Sequence, residues 1–99
     1  MSDLVVVALI KAKPGSEDVV RGALADLVAP TRDEAGCVSY ALYESQTEGG
    51  TFVTLETWKA QSDLDAHMQS PHIAATFAAA GDGLAEAPAI HTLKPIDVG

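Results

Sequence analysis

The stretch Leu4-Val5-Val6-Val7-Ala8-Leu9-Ile10-Lys11, closed downstream by Pro14-Gly15, is a β-branched run of strand length. It lacks the apolar and polar alternation of a half-exposed strand. Val6, Ala8 and Ile10 point one way and Val5, Val7 and Leu9 the other, so both faces of this strand call for cover.

Moving outward, Ser16 is placed to cap a helix whose first turn holds Glu17 and Asp18, acids that suit the positive end of the helix dipole. Val20, Leu24, Leu27 and Val28 follow at helical spacing, and Pro30 should end or kink the helix. Gly36 leads into a strand over Cys37–Glu44. Gly49-Gly50 then signals a hairpin to a strand over Thr51–Trp58. Ser62 with Asp65 resembles a capping box for a second helix, which carries Leu64, His67 and Met68 on one stripe. Pro71 interrupts that helix, which resumes through Ile73 and Phe77 to Ala80. A last strand, Ala89–Lys94, stops at Pro95.

The order β-α-β-β-α-β predicts an α+β fold, a four-stranded antiparallel sheet with both helices on one face. The other face is then open. Because the first strand is apolar on both sides, a second copy of the sheet is the simplest cover, and a homodimer is expected.

Ninety-nine residues suffice for one domain, taken as 1–99. A net charge of −8, from six basic and fourteen acidic residues, excludes a phosphate-binding basic patch and hence nucleic acid as partner. The apolar run Leu4–Ile10 falls far short of the ~20 residues of a membrane span, so no membrane is expected. Asp3 precedes that run where a secretory leader would carry positive charge, which points to the cytoplasm. The single cysteine, Cys37, forbids an internal disulfide. Between Gly36 and Val38 it reads as a small buried hydrophobe rather than a nucleophile.

Trp58, the only tryptophan, shares a strand face with Phe52, Thr54 and Glu56, and suits either a core anchor or a pocket wall. His67 points inward on its helical stripe, as a satisfied core histidine or as a general base beside the pocket. On a continuous helix His72 would lie about 140° from His67. That spacing, and the lack of an evident carboxylate partner, argue against a metal site. Glu56, mid-strand on an apolar face, must be paired or protonated if buried. Tyr40, grouped with Val38 and Leu42, is preferred to Tyr43 as a cavity residue because the two lie on opposite faces. His91 reads as structural. No dinucleotide loop, phosphate loop or GxSxG elbow is present.

The blocks Glu34-Ala35-Gly36-Cys37-Val38-Ser39-Tyr40, Glu56-Thr57-Trp58 and Ala66-His67-Met68-Gln69-Ser70-Pro71-His72 follow one another as in the antibiotic biosynthesis monooxygenase family, which the chain resembles over nearly its whole length. The resemblance implies a ferredoxin-like, dimeric α+β barrel that oxidises a small aromatic quinol or phenol with molecular oxygen, without metal or flavin. It maps His67 and Trp58 onto catalytic positions and His72 onto a second histidine. Tyr40, Glu56, His72 and Phe77 are the substrate-binding candidates. The haem-degrading branch places an asparagine and a ligating histidine where this chain has Ala8 and Phe77, so haem chemistry is not expected. Isomerases and non-catalytic binding modules use similar barrels and are the alternatives. A phosphorylated isomerase substrate would want clustered Lys or Arg, whereas the six here are scattered, with Lys59 nearest to Trp58.

Overall fold

The computed structural model describes residues 3–99. Its elements in chain order are β1 (Leu4–Lys11), α1 (Glu17–Arg32), β2 (Cys37–Glu44), β3 (Thr51–Trp58), α2 (Gln61–Met68), α3 (Pro71–Ala80) and β4 (Ala89–Leu93), with a 3-10 turn at Gly81–Gly83. The strands form one sheet in the order β2-β3-β1-β4, and every neighbouring pair is antiparallel. This is the ferredoxin-like arrangement expected from the sequence.

β1 lies centrally, with Val6 opposite Glu56 of β3 and Val7 opposite His91 of β4. Its two apolar faces meet different fates. Val6, Ala8 and Ile10 are buried against the helices, whereas Val5 and Leu9 remain 43% and 37% exposed. On β3 the alternation is clean: Phe52, Thr54, Glu56 and Trp58 are buried under the helices, and Leu55 faces out. Two apolar clusters fill the space between sheet and helices. One joins Ile10, Phe52, Val20 and Leu24, and the other joins Val6, Leu27, Trp58, Leu64 and Ile73. Full burial of each large apolar side chain contributes about 1.5–3 kcal/mol, so Phe52, Trp58, Val6 and Val20, all below 2% exposure, anchor the two ends of the core.

Several local expectations are corrected. Of the two outcomes expected at Pro30, an end of the helix does not occur: α1 runs on to Arg32, with Pro30 inside its last turn. Ser16 holds the N-cap position with φ −106° and ψ 5°, outside the extended region a capping hydroxyl favours, and its side chain makes no cap bond. The Gly15 amide donates instead to Glu17 Oε1 at 2.7 Å. α2 begins one residue before the expected capping serine, with Ala60 at its N-cap, and Asp65 accepts from Gln61 Nε2 rather than closing a capping box with Ser62. β4 ends at Leu93, one residue early. A bulge between Cys37 and Ser39 turns Val38 outward, so Val38 does not share the buried face of Tyr40.

The interruption before Pro71 is a full break. Ser70 caps α3: its hydroxyl accepts from the Ile73 amide at 3.3 Å and donates to the His67 carbonyl at 2.6 Å, with Pro71 supplying the first helical residue. This corner brings His72 at the start of α3 beside His67 at the end of α2. No helix among the described residues is long and apolar enough to cross a membrane.

Candidate active site

Between the sheet and the helices lies a cavity of about 50 Å³ whose wall includes Tyr40, Thr54, Glu56, His67, Phe77 and Ile90. The strands deliver the polar groups, because residues two apart on β3 share a face. Glu56 sits between two of them. Thr54 Oγ1 donates to Glu56 Oε2 at 2.7 Å and Trp58 Nε1 donates to Oε1 at 2.9 Å, so each oxygen of this buried carboxylate has a partner. Tyr40, opposite Glu56 in the register, is 4% exposed. Burial pushes its phenol well above the usual tyrosine range, the Glu56 carboxylate and Cys37 add to the rise, and the Thr54 hydroxyl opposes it.

His67 occupies the last turn of α2 and is 2% exposed. Its ring rests against the Trp58 indole, centroids 4.8 Å apart and planes at 38°, and lies 5.9 Å from the Tyr40 ring. Nδ1 lies 2.5 Å from Glu34 Oε2. A carboxylate there accepts the Nδ1 proton and fixes the tautomer in which Nε2 carries a lone pair. Nε2 is therefore the nitrogen left for whatever enters the cavity that His67 lines.

Glu34 comes from the turn between α1 and β2, and sequence reasoning did not assign it a role. It also reaches His72, whose Nε2 lies 2.8 Å from the same Oε2. The expectation that His67 and His72 diverge around one helix is overturned: the corner at Ser70 makes them residues of two helices, with ring centroids 5.8 Å apart. The missing carboxylate partner is Glu34. The donor atoms of Glu34, His67 and His72 all lie within 4.8 Å of one another, and imidazole nitrogens with a carboxylate oxygen form a donor set suited to zinc-like cations.

Of the six residues expected at the site, Tyr40, Glu56, His67 and Phe77 line the cavity. Trp58 and His72 do not. Trp58 is wholly buried behind His67, and His72 borders a separate surface depression with Asp26 and Thr76. Cys37 is half-buried against the Trp58 cluster, and burial pushes its thiol up, with Glu34 and Glu56 adding to the rise. Such a thiol is a poor nucleophile.

Residues 3–79 match the family described as antibiotic biosynthesis monooxygenase. The solved structure of Rv0793 from Mycobacterium tuberculosis is 36% identical, with 97% of each chain covered and a TM-score of 0.87. PA3566 from Pseudomonas aeruginosa, 28% identical, covers 98% of this chain and 97% of its own, with a TM-score of 0.90. A probable quinol monooxygenase of Escherichia coli, YgiN, is 33% identical over 82 residues, which span 73% of this chain and 79% of that protein.

Proposed function

Because this chain belongs to the antibiotic biosynthesis monooxygenase family, we propose that it is a monooxygenase acting on a hydroquinone or related phenol with molecular oxygen, His67 serving as general base. The observation that carries the reading is the part-buried Glu34–His67 pair, which engages Nδ1 of a cavity-lining histidine and leaves its Nε2 unengaged by Glu34. In the proposed reaction Nε2 accepts a ring hydroxyl proton, and the electron-rich anion reduces oxygen. One oxygen atom bonds to a ring carbon and the other leaves as water. A hydroquinone thereby becomes a hydroxyquinone, all four electrons coming from the substrate. Apolar walls around the site keep water from the reactive intermediate. Trp58 holds the His67 ring from behind, and the substrate ring meets Tyr40 and Phe77.

Volume sets a condition. A cavity of about 150 Å³ is the size known to take benzene, and this one is about 50 Å³, so a ring enters only if the wall moves. Phe77 and Ile90, 38% and 42% exposed, are the wall residues freest to do so.

Oxygen uptake with a panel of hydroquinones, catechols and naphthols, corrected for spontaneous oxidation, tests the proposal. Uptake above background that drops about 10²–10⁴-fold in His67→Gln, the range of a lost general base, is expected. No uptake by the parent, or full uptake in a folded His67→Gln variant, would overturn it.

A further inference from the structure

We infer that Glu34, His67 and His72 form a binding site for one divalent transition-metal cation, of the zinc, cobalt or nickel type, behind the cavity face of His67. The donors arrive from three places: the turn after α1, the last turn of α2 and the first turn of α3. Both imidazole nitrogens are already directed at one point, the Glu34 Oε2 atom, at 2.5 and 2.8 Å. An ion bound at about 2.0–2.2 Å to each donor needs the donors within about 4.4 Å of one another and the nitrogens farther from the carboxylate oxygen than this, so the three donors, now within 4.8 Å, adjust by under about 1 Å, the rings closing as Glu34 withdraws. Glu34 is free to withdraw, being a long side chain in a turn and 18% exposed.

Charge favours the exchange. Among the described residues Glu34 pairs only with the two histidines, and Arg32, two positions away, donates its Nε to the Tyr40 carbonyl. With neutral imidazoles the half-buried carboxylate lacks an opposite charge, which a divalent ion would supply. His72 and Glu34, 20% and 18% exposed, leave one side of the group open to a water ligand, as a three-donor zinc site requires. One consequence rests on the base assignment above: a metal on Nδ1 leaves the ring proton on Nε2, so the loaded protein would be the inactive form.

The test is calorimetric titration of the chelator-treated full chain with Zn²⁺, and Co²⁺ titration followed by visible absorption. Binding of one ion per chain is expected, with the spectrum of a cobalt centre of low coordination number. Affinity should fall at least about tenfold in Glu34→Gln and in His72→Ala, the smallest penalty usual for damage to a metal site, and stay unchanged in His91→Ala on β4. Circular dichroism checks that each variant is folded. Absence of one-to-one binding, equal affinity in folded Glu34→Gln, or loss in His91→Ala instead would overturn the site.

Discussion

Trp58 shows how much one residue can hold. Its ring fills the core below 2% exposure, its N–H satisfies Glu56 and its face supports His67. Trp58→Ala should cost about 3–5 kcal/mol in urea unfolding. Trp58→Phe should cost less and leave Glu56 Oε1 without its donor, a loss of about 1–3 kcal/mol. Tyr40 has a different signature. Its phenol is raised above the ordinary value of 10.0 mainly by burial, so the folded chain holds that proton more tightly than the unfolded chain does. The resulting stability is complete below pH 10.0 and is lost as pH climbs toward the folded value. Thermal melts between pH 9 and 12 should show Tyr40→Phe losing less stability with alkali than the parent does.

At the scale of elements, Gly36 is the close approach on which the site depends. A Cβ there would overlap the Asp63 side chain of α2, two residues from Glu34. Gly36→Ala should therefore push the turn from α2, destabilise the fold by about 1–3 kcal/mol, and lengthen the Glu34–His67 contact, visible as a changed His67 imidazole resonance. Ser70→Ala should cost about 1 kcal/mol through the lost cap. The first three strands were legible because short runs rich in β-branched residues in β1 and β3, and in tyrosine and apolar residues in β2, set off by Gly or Pro signals, have few alternative readings, and their observed bounds are those read from the sequence. His67 was legible as an inward position from its helical stripe, whereas alternation left Glu56 open between core and solvent, and Tyr40 was preferred on a grouping with Val38 that the bulge breaks. The Glu34–His72 pairing was not legible, for two physical reasons. A helical wheel assumes a continuous helix, whereas Ser70-Pro71 starts a new one. Glu34 meets its partners across 33 and 38 residues of chain, a separation no local pattern encodes. The Ser-Pro cap was the available signal for the break.

For the whole molecule, the outer face of the sheet presents Val5, Leu9, Leu55 and Leu93, each at least 37% exposed, beside Tyr43 on β2. Such a patch invites a partner, and we propose that a second copy covers it. Sedimentation at micromolar concentration should give a dimer, and Leu55→Asp should shift it toward monomer without unfolding it; a monomeric parent would count against this assembly. The cavity has its own dependence on architecture. Ile90 belongs to β4, an edge strand of five residues, paired on one side only and exposed along its length. The wall of a cavity too small for a ring thus includes the strand least protected from fraying. Substrate entry then becomes a local unfolding event, so the association rate should rise with temperature as steeply as β4 amide exchange does, far more steeply than diffusion.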